Sequence, residues 1–341
     1  MPDNENKSYT NDNGIALVAE LQSRRIEMLV FVSWLDKRYA RLVRESVNCK
    51  IAFWLHSQPF WEVKRTYLRE KALAKEKWSY FFRFYAYSYW RNYVGKRFLR
   101  GMQNSYKEDI QLVDYVIVLC PEFKQELTRS LVLSAEEQNK IKPVVNTIVL
   151  NPTPILHKKQ EIAYLGRLSR DDKQLHKLLA VWSLVHKQLS GWSLHIYGSG
   201  SDEKRLKKIV EQKHLDRVTF HGYKRNTQEV YDRTSIVCLT SFFEGWPMVL
   251  IEAQNNGCIP VSFNNGFGVQ SIIGKDSKNG ILVPQDDVLA FSNALLRLCS
   301  NQELRTELQN NVLKKRLDYV PSVNEETWNK ILGKSTDREE L

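Results

Sequence analysis

The 341-residue sequence predicts an α/β protein of two units, each a parallel sheet flanked by helices. Three observations lead there. Short apolar runs alternate with helix-length amphipathic stretches, the pattern of parallel strands joined by helical crossovers. The alternation breaks at a proline-bearing segment and then restarts. The length allows two cores of ordinary size.

The start, residues 1–13 (MPDNENKSYTNDN), is polar and is expected to be irregular. A first unit then spans 14–150, with buried strands read from "IEMLVFVSW", "CKIAFWLHS" and "VDYVIVLC". "VVNTIVLNPTPI", residues 144–155, reads as a strand running into the linker. The second unit spans 151–320 and alternates cleanly. Its strands are "EIAYLGRL", "WSLHIYG", "RVTFHG", "SIVCLTS", "IPVSF" and "GILV", and its helices lie near 173–189, 203–213, 226–233, 287–299 and 302–316, with one more after Pro247. Residues 321–341 are expected to form a tail or a last helix. Doubly wound sheets bind ligands at the carboxyl ends of their strands, and two such units suggest a cleft.

Composition narrows the function. No stretch of 18 apolar residues offers a membrane span, and no signal peptide follows Met1. The five cysteines are scattered without a C-x-x-C pair, which fits a reducing compartment and argues against disulfides or a zinc site. The formal charge of +11 points to a polyanionic partner. Much of it lies between Trp61 and Lys107, where bases such as Lys64, Arg69, Lys75, Arg91 and Arg97 interleave with Trp78, Phe81, Tyr85, Tyr89 and Trp90. Such a segment suits the headgroup layer of an anionic membrane; it equally suits helices with aromatics inward and bases in water. No nucleic-acid motif is present, so nucleic acid is not the expected partner.

The chemistry is read from "SFFEGWPMVLIEAQNNGCIPVSF", residues 241–263. Pro247 is placed to be the first helical residue, leaving the amides of Met248 and Val249 free to meet an anion. Glu244 precedes that helix and Glu252 lies on its second turn. Carboxylates accept hydrogen bonds from sugar hydroxyls, so phosphate donors flanked by two acids match a nucleotide sugar. Read alone, Glu244 could equally cap the helix and Glu252 be an ordinary helix residue. "YLGRLSRDDKQLHKLL" adds Arg167 at a strand's carboxyl end and Lys173 at the next helix start. Two cations there can neutralise a diphosphate, including the charge that develops as it leaves; the alternative is a pair of solvated bases. "IYGSGSDEKRLKKI" imitates a dinucleotide fingerprint but lacks its third glycine and the distal acid, so NAD binding is not expected.

With these residues in view, positions from about 160 to 300 resemble the donor-binding domain of the GT-B, family-4 (group 1) glycosyltransferases. The carriers are Gly166–Arg167 with Lys173 six residues on, "IYGSG", "FHGY", and the E-x7-E stretch followed by P-V. The resemblance implies a GT-B fold of two Rossmann-like domains facing a cleft. It implies retaining transfer from a nucleoside-diphosphate sugar to a saccharide or lipid-linked acceptor, without an obligatory metal or other cofactor. Gly166, Arg167, Lys173, Gly245, Met248, Val249 and Glu252 would bind the donor, with Glu252 at the ribose and Glu244 at the donor sugar's hydroxyls. His56, in "KIAFWLHSQPFWEV", matches a family histidine that faces the donor sugar; it could also be a loop histidine satisfied by backbone. Synthesis of cell-surface polysaccharide or lipopolysaccharide on the cytoplasmic membrane face follows as the expected role.

Two departures from the family stand out. The opening strand and glycine-rich loop are not evident, so the amino-terminal sheet is expected to lack its first elements. Gln174 occupies a position usually held by glycine, which should tighten that turn. A non-catalytic remnant that still binds nucleotide sugar is therefore the alternative, with a nucleotide-sugar epimerase behind it.

Overall fold

The computed structural model describes residues 10–63, 78, 81 and 88–333. Residues 1–9, most of the basic aromatic segment between 64 and 87, and 334–341 lie outside the described residues. Contacts divide the chain into a first unit of 1–145 with 324–341, and a second of 146–323.

In the first unit the expected irregular start gives way early to helix α1 (Asn11–Ser23), because the Thr10 hydroxyl accepts the amide of Asn13 at 3.2 Å and caps it. Strand β1 (Met28–Val32), helix α2 (Lys37–Ser46), strand β2 (Lys50–Leu55) and the long helix α3 (Ser88–Leu112) follow. Next come β3 (Tyr115–Val118), α4 (Pro121–Ser130), α5 (Ala135–Lys140) and β4 (Ile141–Pro143). The sheet is parallel, in the order β1-β2-β3-β4.

The stretch 144–155 does not form the expected strand; the strand is the shorter β4 just before it. Its backbone groups find partners elsewhere instead. The amide of Val145 donates to Asn324 Oδ1 at 3.3 Å, and that of Ile148 to the carbonyl of Tyr319 at 2.8 Å. The helix expected near the end is α13 (Glu325–Leu332), which belongs to the first unit rather than hanging as a tail. Ile331 is fully buried with Ala52, Ile117 and Val144, Trp328 meets Trp54 edge-on at 5.6 Å, and Lys50 Nζ donates to the carbonyl of Ile331 at 3.0 Å.

The second unit follows the sequence reading closely. Its strands are β5 (Lys159–Leu165), β6 (Ser193–Tyr197), β7 (Val218–Gly222), β8 (Thr234–Leu239), β9 (Ile259–Phe263) and β10 (Ile281–Val283). Between and after them run α6 (Leu175–Val185), α7 (Glu203–Gln212), α8 (Gln228–Arg233), α9 (Met248–Asn255), α10 (Phe267–Ile273), α11 (Val288–Ser300) and α12 (Gln302–Lys315). The inner strands β5, β8 and β9 are buried along most of their length because helices cover both faces, whereas the edge strand β7 alternates and exposes Thr219 and His221. Helix α6 buries Leu175, Leu178, Leu179, Val181, Trp182 and Val185 against the sheet. The fully buried indole of Trp182 still satisfies its N–H, donating to the carbonyl of Asp216 at 2.9 Å.

The strand order is β10-β9-β8-β5-β6-β7, all parallel. Winding runs one way from β5 to β7 and the other way from β8 to β10. The direction reverses between β5 and β8, and at such a switch point the two outgoing loops part and open a crevice at the carboxyl ends of the strands.

Candidate functional site

The two loops that leave this switch point, with the helix that follows the second, carry all the predicted donor-binding residues. After β5 the chain turns through Gly166 and Arg167 to Lys173. The amide of Gly166 donates to the carbonyl of Tyr197 at 3.0 Å, and that of Leu168 to Ser199 at 2.9 Å. Tyr164 anchors the loop from below, its hydroxyl donating to the carbonyl of Arg167 at 3.0 Å. Gly198, at φ +140°, lets the neighbouring loop lie flat on this one: a Cβ there would sit 1.9 Å from the Gly166 carbonyl oxygen. That close approach accounts for the glycines of "IYGSG" without a dinucleotide.

Helix α6 begins later than expected, so Lys173 lies in the turn before it and not in its first turn. Gln174 is the N-cap residue and holds φ 48°, ψ 39°, the left-handed conformation that glycine adopts most easily. The family glycine is thus replaced without changing the backbone conformation glycine would favour.

The loop after β8 is bound to the first. The amide of Phe242 donates to the carbonyl of Asp172 at 2.8 Å, and Thr240 Oγ1 donates to that of Lys173 at 3.2 Å. These bonds bring two predicted residues into contact: Lys173 Nζ lies 2.5 Å from Glu244 Oε1. Arg167 stands further out, its side chain 70% exposed, with its guanidinium 3.9 Å from Asp172.

Pro247 is the N-cap of α9 and not, as expected, its first residue; Met248 begins the helix. Proline has no side-chain acceptor to offer, and the first-turn amides of Met248 and Val249 receive no capping side chain. Glu252 lies on the second turn, and its Oε2 accepts the hydroxyl of Tyr231 at 2.7 Å. Burial, together with this carboxylate, pushes the Tyr231 phenol well above its ordinary range, so it stays a hydrogen donor. Tyr231 thus holds one oxygen of Glu252 in place.

The sequence reading did not single out the loop after β9. Asn265 Nδ2 donates to the carbonyl of Ser241 at 3.0 Å, and a Cβ on Gly268 would lie 2.0 Å from the carbonyl oxygen of Gly245. Asn265 and Gly268 therefore brace the Glu244–Pro247 turn from behind. The signal was "NNGFG" directly after a strand, a glycine pair where backbone meets backbone. Tyr231 was missed as well, since nothing local ties it to Glu252. Trp246 is buried and meets Tyr319 edge-on at 6.3 Å, so it supports the turn from within.

Gly166, Arg167, Lys173, Glu244, Gly245, Met248, Val249 and Glu252 are thus gathered on two loops and one helix start of the second unit. His56 belongs to the first unit, just past the carboxyl end of β2. It is partly buried, and that burial lowers its imidazole pKa, so the ring is neutral at pH 7. Among the described residues no group of three or more His, Cys, Asp or Glu is placed to hold a metal ion.

The family described as "Glycosyl transferases group 1" matches residues 148–315. The amylovoran biosynthesis glycosyltransferase AmsD of Erwinia amylovora is 29% identical over 226 residues, covering 65% of this chain and 63% of that protein. The crystal structure of TarM superposes with a TM-score of 0.71 at 19% identity, covering 96% of this chain and 59% of that one. The pneumococcal O-GlcNAc transferase GtfA, crystallised with UDP and GlcNAc, gives 0.67 at 17% identity, over 96% of this chain and 61% of that one. The chain therefore spans about three-fifths of the proteins it resembles. Residues 148–315, just under half of the chain, thus match the group 1 glycosyl transferases, and the chain shares the GT-B fold of TarM and GtfA.

Proposed function

We propose that this protein transfers a hexose or N-acetylhexosamine from a nucleoside-diphosphate sugar to a saccharide or lipid-linked acceptor, with retention of configuration, in the synthesis of a cell-surface polysaccharide or lipopolysaccharide. The contact of Lys173 with Glu244 at the switch point carries this reading, because it puts a cation for the diphosphate beside an acceptor for sugar hydroxyls. The relatives add support by their names: AmsD is a biosynthetic glycosyltransferase and GtfA was crystallised with UDP and GlcNAc.

In the proposed reaction the bond from the sugar's C1 to the diphosphate oxygen breaks while the acceptor oxygen bonds to C1 on the same face. The acceptor's proton passes to the departing phosphate oxygen, so no separate base is needed. Arg167 and Lys173 take up the negative charge that grows on the diphosphate, in the manner of other preorganised cations. The amides of Met248 and Val249 meet phosphate or sugar. Glu244 accepts from the sugar's hydroxyls and Glu252 from the ribose, oriented by Tyr231. Neutral His56 accepts from the donor sugar. The reaction takes no metal in this scheme, and EDTA should leave the rate unchanged.

The protein would work at the cytoplasmic face of an anionic membrane. On the described part of α3, Lys96, Arg97, Phe98 and Arg100 are all exposed, a basic and aromatic patch of the kind such a surface attracts. Co-sedimentation with phosphatidylglycerol vesicles at low salt, lost at 0.5 M NaCl, is the expected result; equal binding to neutral vesicles would remove membrane docking from the scheme. Among the described residues no helix is long and apolar enough to cross a membrane.

The direct test is a thermal-shift titration with UDP, GDP, ADP and CDP. A ligand that binds only the folded state raises its midpoint. We expect UDP to raise it, and Arg167→Ala to weaken that effect. A cooperatively melting protein indifferent to all four would leave it a folded remnant without a donor site.

A further inference from the structure

We infer that the Lys173–Glu244 pair makes the site select an intact nucleotide sugar over the bare nucleoside diphosphate that transfer leaves behind; this rests on the glycosyl-transfer reading above. The ammonium and the carboxylate meet at 2.5 Å, and among the described residues neither side chain has another hydrogen-bond partner. The two side chains are 24% and 13% exposed, so water screens their attraction less than that of a pair on the open surface. The loops that present them are pinned. The amides of Lys173 and Gln174 both donate to the carbonyl of Ser169, at 3.3 and 3.2 Å, and Thr240 and Phe242 tie that loop to the one bearing Glu244. The backbone therefore sets the two charges side by side; they are not a chance meeting of long side chains.

One ammonium then faces two claimants. A diphosphate that takes Lys173 draws its charge away from Glu244 and leaves that mostly buried carboxylate beside further negative charge. A charged group out of reach of water that loses its partner is strongly disfavoured. A bare nucleoside diphosphate has nothing to give Glu244 in return. A nucleotide sugar does, because a sugar hydroxyl donates to the carboxylate in place of the ammonium. Leaving a site's own polar group unpaired is how such a site rejects an analogue that lacks a hydroxyl. Once the sugar has moved to the acceptor, Glu244 is without its hydroxyl and reclaims Lys173, which loosens the hold on the departing diphosphate. Arg167 plays no such double part, being 70% exposed and 3.9 Å from Asp172. In this exchange the pair makes and breaks no covalent bond; only hydrogen bonds change partner.

Two other roles use the same contact: a strut between the loops, and a carboxylate that repels phosphate whether or not Lys173 is present. A double-mutant cycle separates all three. Wild type, Glu244→Gln, Lys173→Ala and the double variant are titrated calorimetrically with UDP, uridine, UDP-glucose, UDP-galactose and UDP-N-acetylglucosamine. Guanosine, adenosine or cytidine forms replace these if GDP, ADP or CDP is the nucleotide that raises the melting midpoint.

Wild type should bind at least one nucleotide sugar about tenfold tighter than the bare diphosphate. Glu244→Gln should tighten the diphosphate about tenfold and narrow that gap, with the nucleoside unmoved. In the Lys173→Ala background the same substitution should change the diphosphate little. The inference fails if wild type holds the diphosphate as tightly as every nucleotide sugar, a result that needs no variant to fold. It fails also if Glu244→Gln leaves the diphosphate unchanged or weaker, as a strut would, or tightens it equally without Lys173, as plain repulsion would. Any of these failures with nucleotide binding intact leaves the donor reading standing. A cooperatively melting wild type silent to every nucleotide and nucleotide sugar sinks both.

Discussion

The two units are built from the same elements and wound differently. In the second, the strand order reverses between β5 and β8, and the loops leaving that point carry Arg167, Lys173 and Glu244. In the first, β1 to β4 lie in simple succession, and no reversal occurs among the described strands. A sheet that turns back on itself makes its own crevice, whereas one that advances in a single direction offers only a row of strand ends. The residues proposed for the donor's diphosphate and ribose accordingly lie within one unit, on loops stitched by bonds such as Phe242 to Asp172 and Asn265 to Ser241. Of the proposed site residues the first unit holds His56, just past the carboxyl end of β2. The difference teaches that nucleotide binding should depend on the integrity of the second unit alone.

That contrast can be broken by damaging each core in turn. Trp182→Ala should destabilise the second unit by about 3–5 kcal/mol, and Ile331→Ala should cost the first unit about 2–5 kcal/mol. Only the former should diminish the UDP shift, and limited proteolysis should open a different unit in each variant. If both lose the nucleotide equally, the donor site is not self-contained. Within the site, Lys173→Ala and Glu244→Ala should each lower transfer by roughly 100- to 1000-fold while leaving the melting curve cooperative. Wild-type rates in either variant would remove the pair from the reaction. The effect of acid is smaller. Burial and neighbouring cations, Arg205, Lys177 and Arg170, push His176 down to about 4 from an ordinary 6.5, with Asp202 opposing. The unfolded chain therefore takes up this proton first, and the stability that neutral His176 provides is lost as pH falls from 6.5 towards 4. His176→Gln should flatten that part of the curve; an unchanged slope would assign it to other groups. The smallest change expected is from Gln174→Gly, which relieves a left-handed residue at the cost of a more flexible unfolded chain. A midpoint within about 1 kcal/mol of wild type, with a full UDP shift, is the outcome. A large loss would mean that the glutamine side chain itself supports the loop.

Much of the second unit was legible in the sequence because its information is local. Six apolar strands with helices between them state their own periods, and the residues from Gly166 to Lys173 and from Glu244 to Glu252 stand at fixed spacings. What escaped notice depends on distant segments. The Tyr231 hydroxyl reaches Glu252 only because α8 and α9 lie on neighbouring connections, and Gly268 is tight against Gly245 only across two loops. The prolines at 152 and 154 advertised a boundary, but contacts place it at Val145/Asn146, where the backbone begins to bond with the 316–324 region. The apolar run from 144 looked like a strand because β-branched residues suit a sheet; its amides were claimed by Asn324 and Tyr319 first. Local preference yields to whatever partner the fold brings near.

The return of α13 to the first unit has a consequence for biosynthesis. Ile331 completes a cluster whose other members, Ala52, Ile117 and Val144, are made far earlier. Between Val144 and Ile331 the ribosome must deliver the whole of 146–323, which takes roughly 10–40 s at ordinary elongation rates. During that interval the donor-side unit can emerge and fold, while the segment that precedes it waits with part of its apolar surface uncovered. The first unit's core therefore cannot close before the last helix is made.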